Sequence, residues 1–367
     1  MRLLILFLFL IFNTALISCE RDSNISPTEN HSEIYFPPLD SDNWQTQSPA
    51  QLNWDAGVME NLYNYLSENG TRAFLILKDG KIVVEKYWGS KIVETGDFDQ
   101  NSMWYWASAG KSLTSLLVGL SQQNKLLDIG DRTSKFLGKG WTSLPENKED
   151  LITIRHQLTM TTGLAIEEDN LDCTTPGCLK YGVDAGTQWY YHNAPYTLLR
   201  KVLENASNRD YNSLTDELLE QTIGLKGNWV MTGDNNVYWS TARDMARFGI
   251  LILNKGAWDQ KIILSDQNYF KEMTTTSQPF NPSYGYLWWL NGKDEIVLPG
   301  STNILPLSFA PNAAQDMITA AGKNGQYLDV IPSQNLVVVR MGEAPSDSLV
   351  PVIFHNKVWE YLDQIMD

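Results

Sequence analysis

WYWASAGKSLTSLLVGLS, residues 104–121, is the stretch on which the reading of this chain turns. It contains Ser108-Ala-Gly-Lys111, the one S-x-x-K in the sequence. Leu113, Leu116, Leu117 and Leu120 recur at helical spacing, which predicts a buried helix beginning near Ser108. In such a helix Ser108 and Lys111 lie one turn apart on the same face. A desolvated lysine loses its proton near neutral pH and can then take one from a serine hydroxyl. The helix N-terminus adds partial positive charge where an oxyanion would develop. The same residues also fit a plain helix start, because Ser is a favoured N-cap and Lys an ordinary surface residue. Other parts of the chain must separate the two readings.

Outward from this stretch, residues 53–67 predict a first helix, with Leu62, Tyr65 and Leu66 on one side. Two β-rich runs then flank Asp79-Gly80, a hairpin signal. Downstream, helical patterns fall at 154–160, 194–205, 211–222 and 241–254. Strand patterns return at 284–300, where two strands are expected around Asn291-Gly292, and at 317–342, where two more are expected. Residues 350–366 predict a closing helix. Strands at both ends with helices between them imply an α/β (α+β) domain over 51–367. One antiparallel sheet is built from both terminal segments and flanked by terminal helices, and a mainly helical subdomain is inserted at about 108–282. Ser108 then lies in the cleft between the two parts, a common place for an active site.

Composition narrows the function classes. Of 367 residues 43% are hydrophobic and 19% charged, as in a globular protein with a sizeable core. The net charge is −15 and no basic run occurs, so nucleic acid is not an expected partner. The four histidines are scattered and no H-E-x-x-H is present, so neither a metal nor an organic cofactor is expected. Residues 1–18 have the positive start and apolar run of an export signal. The run ends in Leu16-Ile-Ser-Cys19, similar to the lipobox of bacterial lipoproteins, which implies cleavage before Cys19 and a lipid on its thiol. Residues 19–50, rich in Ser, Asn, Asp, Glu and Pro, read as a polar tether to a membrane of the cell envelope. In an exported chain Cys173 and Cys178, which enclose Thr-Thr-Pro-Gly, are expected to form a disulfide; a zinc site would need further ligands.

A second motif, Tyr191-His-Asn193, is the one Y-x-N in the chain. A tyrosine hydroxyl beside a lysine cation has a lowered pKa and can relay protons. An Asn amide offers both a donor and an acceptor to an amide or ester. S-x-x-K followed by Y-x-N resembles the serine β-lactamase and penicillin-binding-protein superfamily. Because the second motif is Y-x-N, the resemblance is to its class C-related branch, with 6-aminohexanoate-dimer hydrolases and esterases. His156-QLTMTTGL, Ser240-TARDMARFGILILNKGAW, Asn281-PSYGYLWWLNG and Ala320-AGKNGQYLDVIP fall in the order of that branch, so the resemblance spans about residues 50–365.

The resemblance implies a serine hydrolase that cleaves a small amide or ester through an acyl-enzyme on Ser108. Lys111 and Tyr191 would serve as acid and base, and Asn193 would contact the substrate. The third family motif falls on Ala320-Ala321-Gly322. Gly322 would let substrate lie along the strand, and the backbone N–H groups of Ser108 and Lys323 would form the oxyanion hole. Ala320 replaces the Lys or His that helps β-lactamases hold the antibiotic carboxylate, which speaks against β-lactam hydrolysis. The alternatives are a D-Ala-D-Ala carboxypeptidase or β-lactamase on the same fold, and a non-catalytic binding module. No G-x-S-x-G elbow is present, which argues against an α/β-hydrolase triad.

Overall fold

The computed structural model describes residues 34–167 and 170–367. The signal segment 1–18, Cys19 and the first part of the expected tether lie outside the described residues. The remainder of that tether is not free. Trp44 is buried, its indole donates to the Gly80 carbonyl at 2.8 Å, and the backbone of Tyr35 donates to Asp79. The packed body therefore includes residues well before 51, because an aromatic side chain in the polar stretch finds an apolar seat on the hairpin.

Helix α1 (Ala56–Glu68) starts at Asp55, whose carboxylate accepts from the backbone of Gly57 and Val58. Strands β1 (Thr71–Lys78) and β2 (Lys81–Tyr87) form the expected hairpin, with Asp79 and Gly80 both at positive φ. Strand β3 (Trp104–Tyr105) leads into helix α2 (Gly110–Gln123). Helix α3 (Asn193–Ser207) follows, then strands β4 (Gly227–Thr232) and β5 (Asn235–Ser240), and helix α4 (Ala242–Leu253). Strands β6 (Trp289–Leu290), β7 (Ile318–Gly322), β8 (Gln326–Ile331) and β9 (Leu336–Gly342) precede the closing helix α5 (Val352–Met366).

The main sheet has the order β2-β1-β9-β8-β7-β6, with every neighbouring pair antiparallel. It thus joins the two terminal segments as expected. Its two faces are read along β8. Leu328 faces α4, where a methyl on Gly249 would strike the side chains of Val337 and Leu328. Tyr327 and Asp329 face α5, where Asp329 accepts from the Trp359 indole at 2.9 Å and pairs with His355 at 2.7 Å. Helices α1 and α5 pack together on that side, with Tyr65 stacked on Phe354 at 5.5 Å.

Three expectations change. The span 317–342 holds three strands, because the chain turns twice, at 323–325 and at 332–335. The two strands around Asn291-Gly292 do not pair with each other. Trp289–Leu290 joins β7, while Ile296–Val297 pairs with Ile304–Leu305, because the Asn291 amide is taken up by the carbonyls of Ala310, Ala313 and Ala314. The inserted part also carries strand: β4 and β5 pair within it and form a small antiparallel sheet with β3 just before it, which the helical patterns on either side obscured.

Candidate active site

Ser108 sits in a tight turn, residues 107–109, between β3 and α2. Ala107 before it has φ 47°, a conformation that disfavours any side chain. Buried neighbours hold it there. The Trp106 backbone donates to the Tyr238 carbonyl at 2.8 Å and its indole donates to Ser240 Oγ at 2.8 Å. Helix α2 is buried on every side from Gly110 to Ser121, so it is a rigid mount. Ser112 and Thr114, polar within it, are satisfied by the Leu287 carbonyl and the Tyr211 hydroxyl.

The serine does not cap this helix. Its Oγ accepts from Lys111 Nζ at 3.0 Å, while the side chain stays part-exposed. Lys111 is only 3% exposed and lies over the rings of Tyr196 and Tyr191, at 4.1 and 5.1 Å. Loss of hydration pulls its pKa down to about 7, against a smaller upward pull from the Asp172 carboxylate. Near neutral pH a large fraction of this amine is therefore unprotonated and in contact with the hydroxyl.

Tyr191 is buried against Trp289, stacked at 5.9 Å with an interplanar angle of 15°, and meets Tyr284 edge-on. From sequence, the nearby lysine was expected to lower its pKa. The structure reverses the sign: burial pushes the phenol well above its usual range, and the hydrogen bond with Ser108 offsets this only in part. Tyr191 is thus a neutral phenol hydrogen-bonded with Ser108 rather than a phenolate. Trp288, the residue before β6, stacks on Phe248 at 5.9 Å in the core, so the adjacent tryptophans face apart.

Asn193 opens α3, and its amide nitrogen donates to Asp172 Oδ1 at 2.7 Å. Asp172 directly precedes Cys173, which is bonded to Cys178 as expected. On the far wall β7 ends at Gly322, where the strand runs against the backbone of Ser108. Ala320 is fully buried and Lys323 is exposed. Ser108, Lys111, Tyr191 and Gly322 are thus brought together, and Asn193 lies two residues beyond Tyr191 on the Asp172 side. Sequence reasoning missed Tyr196 and Asp172. Tyr196 stands three residues after Asn193, on the same face of α3, which was a usable signal. Asp172 had none beyond its place beside a cysteine. A cavity of about 580 Å³ lined by Asp42, Glu220, Lys226 and Arg243 lies apart from these residues.

A part-exposed serine in the turn before a buried helix, in contact with a lysine stripped of water and beside a neutral tyrosine, makes this the candidate active site. The Beta-lactamase family model matches residues 68–347, and the chain belongs to that family. Its fold is similar to that of a putative 6-aminohexanoate-dimer hydrolase from Bacillus anthracis, at 16% identity and TM-score 0.67, covering 90% of this chain and 89% of that one. It is also similar to a penicillin-binding-protein homologue from Caulobacter crescentus, at 12% identity and TM-score 0.66, covering 87% and 98%. A curated relative, the teichoic acid D-alanine hydrolase of Staphylococcus aureus, is 26% identical over 187 residues, covering 50% of this chain and 45% of that protein. The chain thus spans about half the length of the curated relatives it matches.

Proposed function

We propose that Ser108 is the nucleophile of an enzyme that hydrolyses small esters or amides through a covalent acyl-serine. The observation that carries this reading is the 3.0 Å hydrogen bond between Ser108 Oγ and a buried Lys111. In acylation, neutral Lys111 takes the hydroxyl proton as Oγ bonds to the substrate carbonyl carbon. The oxyanion is met by the backbone N–H groups of Ser108 and Lys323, on either side of the Gly322 contact. When the tetrahedral species collapses, the bond to the alcohol or amine breaks and that group receives a proton through Tyr191. Water then attacks the ester of Ser108 and gives up a proton to the same pair, and the acid leaves with Ser108 restored.

Esters and 6-aminohexanoate-type amides are favoured over β-lactams and D-Ala-D-Ala peptides. Ala320 is buried where those substrates need a cation for their carboxylate, and the exposed Lys323 does not replace it. The curated relative that acts on a D-alanyl group is in keeping with a small acyl group. Turnover of p-nitrophenyl acetate by the wild type and its loss in Ser108→Ala tests the reading; equal rates would overturn it. We also propose that the enzyme is exported and held at a membrane through a lipid on Cys19. Cys19→Ser should then move it from the membrane fraction to the soluble one.

A further inference from the structure

Tyr105 and Asn324 join the two walls of the site by a bond that the acyl-transfer scheme does not use. The Asn324 amide nitrogen donates to the Tyr105 hydroxyl oxygen at 2.8 Å, across 219 residues of sequence. Tyr105 lies on β3, three residues before Ser108, and Asn324 lies in the 323–325 turn that follows Gly322. Each end is fixed. Tyr105 pairs with Trp239 in the small sheet, stacks on Trp104 at 5.3 Å and meets the Trp239 ring edge-on at 5.6 Å. Asn324 holds φ 65°, a conformation that Asn accepts more readily than most residues. Its carbonyl accepts from Arg340 Nη1 at 2.6 Å, and the Gly325 carbonyl accepts from the same nitrogen at 2.9 Å. Tyr105 and Asn324 are both part-exposed, where water could satisfy either side chain, so burial does not require the bond.

We propose that the Tyr105–Asn324 bond sets the position of the Lys323 N–H, which makes Tyr105 a positioning residue for the oxyanion hole. This rests on the hydrolase reading above and deepens it. The two oxyanion donors come from different segments, Ser108 from the turn after β3 and Lys323 from the turn after β7. Both must lie within about 2.7–3.1 Å of one developing oxygen. Packing against the Ser108 backbone fixes Gly322, but the chain leaves the strand immediately after it, so the Lys323 N–H takes its direction from the turn. Arg340 anchors that turn to the sheet. Tyr105 anchors it to the strand that leads to the first donor. The spacing of the two donors is then set by a stacked aromatic ring instead of a free loop. An interaction of this kind acts where charge develops on the oxygen, so its loss should lower kcat and leave KM nearly unchanged.

The test uses Tyr105→Phe, which keeps the ring and removes the hydroxyl, and Asn324→Gly, which removes the same bond and accepts the positive φ. Turnover of p-nitrophenyl acetate is measured beside inhibition by trifluoroacetone. In that adduct Ser108 Oγ bonds to the ketone carbon, the hydroxyl proton passes to Lys111, and the ketone oxygen becomes an alkoxide in the hole. Each single variant should lose about tenfold in kcat, less than the 10²–10³ found when a donor is removed outright. Its inhibition constant should rise by about the same factor, a change that general loosening of the fold would not produce. The double variant should be no worse than either single one, because both remove one shared bond. Unchanged kcat in both single variants would overturn the proposal and leave the hydrolase reading intact. So would a fall in kcat without weaker inhibition, or losses that multiply in the double variant. A wild type that turns over no ester would count against the hydrolase reading and this proposal together.

Discussion

Lys111 Nζ lies 4.1 Å above the ring centroid of Tyr196, which replaces water over one side of the amine. The lysine pKa of about 7 comes chiefly from this kind of enclosure, with Tyr191, Tyr196 and Asp172 as the titratable groups around it. In the proposed mechanism the neutral amine is the active form, so kcat/KM on a neutral ester should rise with pH through about 7 and then level off. Tyr196→Ala admits water, weakens the desolvation and returns the pKa upward. Its rate profile should move to higher pH, and a lysine pKa raised from about 7 toward 8 would lower activity at pH 7 several-fold. An unmoved profile would show that the ring does not set the lysine pKa.

The same desolvation acts on stability. The folded-state pKa is depressed, so the unfolded chain binds more protons between about 7 and 10.5. The penalty is absent above that window, grows as pH falls through it and is complete below about 7. Lys111→Met should therefore be inactive and more stable than the wild type at pH 6, by ~1–4 kcal/mol, the range found when buried charged groups give way to apolar ones. The difference should narrow by pH 9.5. Urea denaturation of both proteins at the two pH values measures it, and equal differences would contradict the account.

A methyl on Gly322 would lie 3.0 Å from the Ser108 nitrogen and 2.5 Å from the Trp106 carbonyl oxygen. Both are backbone atoms, so the strand and the nucleophile turn must move apart. Gly322→Ala should lower kcat by about 10²–10³, the usual loss for one oxyanion donor. Titration with an irreversible serine reagent should show how many sites remain competent. Wild-type kcat in this variant would mean that the end of β7 is not the second wall of the site.

Arg340 supports that wall from behind. It is fully buried, and its guanidinium donates to the carbonyls of Asn324, Gly325, Asn69 and Glu343. Arg340→Met leaves those carbonyls without their donor and loosens the turn that carries Lys323. It should destabilise the protein by ~3–5 kcal/mol, and kcat should fall in the fraction that remains folded. A thermal melt matching the wild type would remove Arg340 from the account.

How far the sequence carried these conclusions differs by element. Ser108 and Lys111 were legible because one helical turn relates them, and leucine spacing marked the helix that bears them. The β1–β2 hairpin was legible from Asp79-Gly80. Gly322 followed from motif order. The pairing of β6 with β7 was not, because it depends on an Asn291 amide that binds carbonyls 19 to 23 residues further on. The direction in which the Tyr191 pKa moves was misread because a neighbouring cation is visible in sequence while burial by Trp289 and Tyr284 is not. Asp172 escaped notice for a similar reason. Its partner Asn193 is 21 residues away, and only the folded loop, closed by Cys173–Cys178, brings them together.

The central claim is that Lys111 activates Ser108. The most direct measurement is the intact mass of the protein after brief exposure to a fluorophosphonate at pH 8, followed by peptide mapping, with Ser108→Ala and Lys111→Met as controls. We expect one adduct on the peptide containing Ser108, none in Ser108→Ala, and labelling slowed by at least about 10² in Lys111→Met. An unlabelled wild type, or labelling that persists in Ser108→Ala, would contradict it.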